Sequence, residues 1–130
     1  MAEAARLSPS NEEIARAISG HRFELAYPHF DDDVSWTLVG AERLEGREAV
    51  IAVCESTAAQ LKDVTTAFSR FRVLASNDWV VIDSVAAYAS ADGSTTYVAS
   101  CDLYRFRDGR LIEATSYNIE LGAEIEEDRA

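Results

Sequence analysis

Apolar positions along the chain switch between helical and strand periods, and the switches mark the expected elements. Ser10, with Glu13 three residues on, forms a capping-box signature, and Ile14, Ala17 and Ile18 follow at helical spacing. The pattern predicts a short helix from about Asn11, with Gly20 supplying the left-handed residue that ends it. Phe23 and Tyr27, four apart, suggest a second brief helix over 21–27 that Pro28 stops. Val34-Ser35-Trp36-Thr37-Leu38 alternates with period two and reads as a strand ending at Gly40, after which Ala41 to Glu45 offers a small additional strand. Val50, Cys54, Thr57, Ala58 and Leu61 return to helical steps and predict the longest helix, from about Arg47 to Lys62.

Everything beyond is strand. Thr66 to Ala75 is followed by the turn residues Ser76-Asn77-Asp78, and Trp79 to Ser90 is rich in Val, Ile and Tyr. Asp92-Gly93 and Asp108-Gly109 are favoured pairs for tight hairpins, so strands near 79–90, 95–107 and 110–121 should form a meander. Helices first and strands after place the helices on one face of a mixed, mainly antiparallel sheet. Long strands twist and coil. The expected fold is therefore α+β, a cystatin-like cone in which a curved, mainly antiparallel sheet, covered by helices on one face, encloses a pocket. The domain should occupy 11–121, with flexible tails at 1–10 and 122–130.

Composition narrows the partners. The chain has 130 residues, one domain's worth, and 23 acidic against 12 basic side chains give it a formal charge of −11. That charge repels nucleic-acid backbones and anionic lipid, and both are excluded as partners. No apolar run approaches the length of a membrane helix, and the N-terminus lacks the pattern of a signal peptide, so the expected location is cytoplasmic. Cys54 and Cys101 have no CxxC spacing and read as reduced, packed thiols. GxSxG, P-loop, HExxH and GxGxxG motifs are all absent, which leaves chemistry without a cofactor, or plain binding.

Strand register suggests where such chemistry would sit. If Asp92-Gly93 closes a two-residue hairpin, Asp83 lies directly opposite Asp102, among apolar neighbours on the pocket face. Opposed carboxylates in a low-dielectric hollow hold one proton between them, and such a pair divides acid and base roles. Asp102 and Asp83 are thus the catalytic candidates. The alternatives are that they face solvent, or that Asp102 only accepts hydrogen bonds from Ser100 or Ser116. The hairpin at Asp108-Gly109 puts Asp102 opposite Thr115, beside Ala114 and Ser116; small bulges leave the exact facing open, and Ser116 or Thr115 is a near neighbour of Asp102 in either register. Trp36, Ser100, Tyr104, Ser116 and Asn118 are the candidate ligand-binding residues; the alternative is a core aromatic for Trp36 and a routine sheet residue for Ser116. His21 and His29 read as solvated, and Asp31-Asp32-Asp33 as a solvated turn rather than a cation loop. No metal site is expected.

Three segments resemble the nuclear transport factor 2-like superfamily, in particular its SnoaL-like branch. They are Asp33-Val34-Ser35-Trp36 with Gly40 and Gly46-Arg47-Glu48-Ala49-Val50; Leu103 through Leu111, which includes Arg107-Asp108-Gly109-Arg110; and Ser116-Tyr117-Asn118. The resemblance extends over most of residues 11–121. It implies a cone-shaped cavity into which Asp102 points, and it allows isomerase, cyclase, dehydratase, epoxide hydrolase or non-catalytic binding functions. Polyketide cyclases of this branch place a histidine and an aspartate where this chain has Asp102 and Ser116. Limonene epoxide hydrolase has an aspartate at the position of Ser116, and ketosteroid isomerase its general base near Trp36 and Leu38. None of these specific residue sets is present.

Two functions follow. One is binding of a small hydrophobic molecule with cofactor-free acid–base catalysis of the isomerase, cyclase or dehydratase type, or a hydrolase-like reaction. The other is a non-catalytic ligand-binding or dimerisation module. A homodimer through the outer sheet face is expected, from the resemblance and from Phe71, Val73, Tyr88 and Tyr97.

Overall fold

The computed structural model describes residues 8–122, and the expected loose arm and acidic tail fall mostly outside them. Helix α1 (Asn11–Ser19) starts at the anticipated capping box, with the Ser10 hydroxyl accepting from the Glu13 amide and the Glu13 carboxylate accepting from the Ser10 amide. Its end differs from expectation. Gly20 has φ −89, and the left-handed residue is His21, at φ 65. Glycine is needed at position 20 for another reason, since a Cβ there would sit 2.9 Å from the Arg16 carbonyl oxygen.

The expected second helix is only two 3-10 turns, Phe23–Leu25 and Tyr27–His29. Strand β1 (Phe30–Leu38) then begins earlier than its alternation indicates. Phe30 pairs with Leu111, and pairing resumes at Ser35 with Glu113, so the three aspartates bulge from the strand rather than forming a turn before it. Asp31 secures the bulge by accepting from the Asp33 amide at 3.0 Å and from Arg110 at 3.4 Å. Strand β2 (Glu42–Glu45) and helix α2 (Arg47–Gln60) follow, then β3 (Thr65–Ser76), β4 (Trp79–Ala89), β5 (Thr95–Arg107) and β6 (Arg110–Leu121).

The six strands form one sheet in the order β2-β1-β6-β5-β4-β3, antiparallel except where β1 runs parallel to β6. Bulges between Phe68 and Arg70 and between Arg105 and Phe106 bend the long strands. Helix α1 packs across β4 and β5, and α2 across β1. Ile14, Ile18, Phe30, Val34, Val50, Phe106 and Leu111 are fully buried between the layers. Each such side chain stabilises the fold by roughly 1.5–3 kcal/mol. Two residues expected to motivate a dimer, Phe71 and Val73, pack against this core instead. No helix among the described residues is long and apolar enough to cross a membrane.

Candidate functional site

Hairpin geometry decides which aspartate faces inward. The β5–β6 hairpin has Asp108 at φ 53 and Gly109 at φ 78, the two left-handed residues of a two-residue turn. The β4–β5 hairpin departs from the expected two-residue form. Ala89 pairs with Thr95, and Ser90 to Ser94 close a longer turn, with Gly93 at φ 95 and the Asp92 carboxylate accepting from the Ser94 amide and hydroxyl. The extra residue shifts the ladder by one. Asp102 therefore opposes Ile82, and Asp83 opposes Cys101.

Because side chains alternate across a sheet, that shift sends Asp83 to the outer face. There it pairs with Arg70 at 3.2 Å and Arg72 at 2.9 Å. The expected carboxylate pair does not exist. On the other side of Asp102, the bulge at Arg105 brings Ser116 directly opposite it.

The inner face of β5 now carries Val98, Ser100, Asp102 and Tyr104, and these border a cavity of about 430 Å³ between sheet and helices. That volume suits a small organic molecule. Trp36, Ser116 and Asn118 border it as well, so all five candidate ligand-binding residues meet around one space. Trp36 is only 9% exposed, at once a core aromatic and a cavity wall. Ser100 donates to the Asn118 side-chain oxygen at 2.7 Å.

Asp102 holds the polar end of this space. Ser19, the last residue of α1, donates its hydroxyl proton to Asp102 Oδ2 at 2.7 Å, and Ser19 Oγ lies 2.8 Å from the Tyr104 hydroxyl. Trp36 Nε1–H donates to Ser116 Oγ at 2.9 Å. An indole nitrogen only donates, so Ser116 accepts there and turns its own proton toward Asp102, with which it is also hydrogen-bonded. Burial pushes the Asp102 carboxyl up from its ordinary value. Hydrogen bonds from Ser116, Ser19 and Tyr104, and the field of His21, act in the opposite direction without cancelling it. The same burial, with Asp102 nearby, raises the Tyr104 and Tyr88 hydroxyls.

Two residues of the site are not evident from the sequence pattern. Ser19 lies one helical turn beyond Ala15, on the same inward side, and that spacing is the available signal. His21, expected in solvent, borders the cavity instead. Its ring is stacked on Phe68 at 6.1 Å and edge-on to Phe23 at 5.7 Å, with Nε2 3.4 Å from the Tyr88 hydroxyl. Burial lowers its pKa from 6.5, against the pull of Asp102. Tyr88, expected on the outer face, is thereby a cavity residue.

The cavity wall contains no Lys or Arg among the described residues, and no group of three or more His, Cys, Asp or Glu among them is arranged to hold a metal. Both cysteines are free, and burial pushes the Cys54 thiol up to about 12, out of reach of thiolate chemistry.

The sequence matches the family of SnoaL-like domains over residues 12–114. The chain belongs to this family. The SnoaL-like domain superposes on a nuclear transport factor 2-like protein of unknown function from Cytophaga hutchinsonii with a TM-score of 0.73 and 28% identity, covering 82% of this chain and 94% of that one. A candidate polyketide cyclase from Xanthomonas campestris gives a TM-score of 0.61 at 18% identity over 83% of this chain and 92% of that one. An epoxide hydrolase from M. tuberculosis, of the type abbreviated LEH-like, gives 0.61 at 17% identity over 80% and 75% of the two chains. No curated protein matches this SnoaL-like domain in sequence. The likenesses establish the fold.

Proposed function

We propose that this SnoaL-like domain binds a small, neutral, largely hydrophobic molecule in the cone and performs acid–base chemistry on it through Asp102, without a cofactor. One observation carries the reading. A single carboxyl with a raised pKa stands at the end of a ligand-sized cavity whose hydroxyl neighbours are already committed to it. A protonated carboxyl in an apolar site donates a hydrogen bond to a ligand oxygen, or a full proton as charge develops there. With no Lys or Arg in the wall among the described residues and a formal charge of −11, an anionic ligand is disfavoured. Solved relatives named as a polyketide cyclase and an epoxide hydrolase support proton-transfer chemistry as the reaction type.

The second reading is a binding module without turnover, and the position of Asp83 favours it. With Asp83 on the outer face, Asp102 has no carboxylate partner in the cavity. Both readings share the ligand.

The domain is further proposed to act as a cytoplasmic homodimer. Tyr117 and Ile119 of β6 are 48% and 63% exposed on the outer face, beside Cys101 and Ala99 of β5. Apolar surface of that kind is suited to pairing with its own copy.

The chain has two tryptophans, Trp36 in the cavity and Trp79, which is 43% exposed outside it, so the indole N–H resonances form a built-in reporter and control. In a screen of neutral carbonyl and epoxide compounds by thermal shift, hits should raise Tm, move the Trp36 resonance and leave Trp79 in place. Turnover of a hit should vanish in Asp102→Asn. Hits that move Trp79 and not Trp36 would exclude the cavity as the site; turnover that survives Asp102→Asn would leave binding alone.

A further inference from the structure

We propose that His21 is the cavity's proton acceptor, a second catalytic residue that takes a proton from the bound molecule while Asp102 supports the charge that develops on it. The proposal rests on the Asp102 reading and adds the other half of an acid–base pair. Three observations converge on His21.

The first is its backbone. His21 stands at φ 65, directly after a glycine at φ −89. A glycine would fit position 21 without strain, whereas a side chain there has an energetic cost. A conformation of this kind persists where the surrounding structure over-determines it. The turn is well fixed: the His21 amide donates to the Ile18 carbonyl at 3.0 Å and the Arg22 amide to the Ala17 carbonyl at 2.7 Å.

The second is aim. The left-handed turn delivers the imidazole to the cavity, where Phe68, Phe23 and Tyr88 surround it on three sides. The third is protonation. Among the groups facing it, from β3 Phe68 is apolar, from β4 Tyr88 is uncharged, and from β5 Asp102 is the one acidic group; Thr57, Gln60 and Leu61 line the α2 side without charge. Burial outweighs the pull of Asp102 and favours the neutral ring, in which one nitrogen carries a basic lone pair. A base whose burial favours its neutral form and an acid whose burial favours its protonated form, both bordering one small cavity, suit a planar carbon acid whose product is an oxyanion.

A chemically simple carbon acid tests this before any natural substrate is known. With 5-nitrobenzisoxazole, an imidazole nitrogen of His21 forms a bond to the ring C–H proton. The C–H pair becomes part of the nitrile, the N–O bond breaks, and its electron pair stays on oxygen as a coloured cyanonitrophenolate. No oxidant, reductant or further reactant enters. The full-length chain should accelerate this elimination, with a rate that rises with pH through the titration of His21, below 6.5 in midpoint. His21→Gln should slow it about a hundredfold, the low end of what a positioned base contributes. His21→Gly, whose backbone suits the left-handed turn, should fold and be equally slow. A rate unchanged in both variants, or no acceleration by the wild type over His21→Gln, overturns the proposal. If the probe moves the Trp36 resonance and yet the rate ignores His21, the ligand cavity stands and only the role of His21 falls. If the probe leaves Trp36 unmoved and the rate ignores both His21 and Asp102, the proposed function falls with it.

Discussion

Asp83 and Asp102 sit on neighbouring strands, one register step from facing the same way, and they lead opposite lives. Asp102 is 9% exposed, surrounded by hydroxyl groups and a cavity, and burial raises its pKa. The Asp83 side chain is 30% exposed and lies between two arginine side chains. Arginine pairing accompanies a carboxylate on the outer face; burial in the cavity wall, against the pull of its hydroxyl partners, raises the other. Residue type alone does not separate these roles. The parity of one hairpin does.

The comparison breaks most visibly if both aspartates are replaced by leucine. Asp102→Leu removes the acceptor toward which Ser19 and Ser116 turn their protons, and it should cost about 2–3 kcal/mol by urea denaturation, the range for stranding buried polar groups. Asp83→Leu should cost less, because Arg72 reaches solvent. Equal losses would mean that the two sites do not differ in kind.

Asp102→Asn sharpens the contrast through pH. A carboxyl whose folded pKa lies above its unfolded value contributes stability that is complete below about 3.8 and is lost as pH rises through the folded pKa. The asparagine has no such loss. Its stability relative to wild type should climb as pH rises across that window and then level, by about 1.4 kcal/mol for each tenfold difference in proton affinity between the folded and unfolded carboxyl. Thermal melts of both proteins across the window check this. A flat difference for Asp102→Asn would remove the raised carboxyl.

Smaller effects follow at the edges of the two environments. Trp36→Phe deletes the indole donor, frees Ser116 to reverse its hydroxyl and should cost about 1–2 kcal/mol, with part of the loss from the smaller ring. Asp83→Asn should cost under about 1 kcal/mol, and the cost should shrink as salt is added, as for exposed ion pairs. A salt-insensitive loss there would place Asp83 in a drier setting than its exposure indicates.

Much of the fold is legible in the residues. The capping box at Ser10, the period of Val50 to Leu61 and the Asp108-Gly109 turn each determine a local conformation, and local rules are sufficient for them. Asp102 and the five cavity residues can be found because long strands on a covered sheet leave little choice of inner face once one register is known. Asp83 is misplaced by sequence because Asp92-Gly93 is compatible with turns of different length, and a one-residue change inverts every side chain on β4. Ser19 and His21 escape because the left-handed residue after the helix is His21, one position beyond the glycine, and this turn carries the imidazole inward. Only tertiary packing sets that direction. The outer face is misjudged for the same reason: Phe71, Val73 and Tyr88 follow the shifted register inward, while Tyr117 and Ile119 are left exposed.

The most direct test of a proton-holding carboxyl at the end of a ligand cavity is a carbon-13 NMR titration of the aspartate side chains. The Asp102 signal is assigned by its loss in Asp102→Asn. The account predicts that this carboxyl titrates above its ordinary value of 3.8, and that Ser19→Ala, which removes a hydrogen bond to the ionised form, moves it higher still. An Asp102 signal that titrates at or below 3.8 would contradict the account, because Asp102 would then be an ordinary buried carboxylate acceptor.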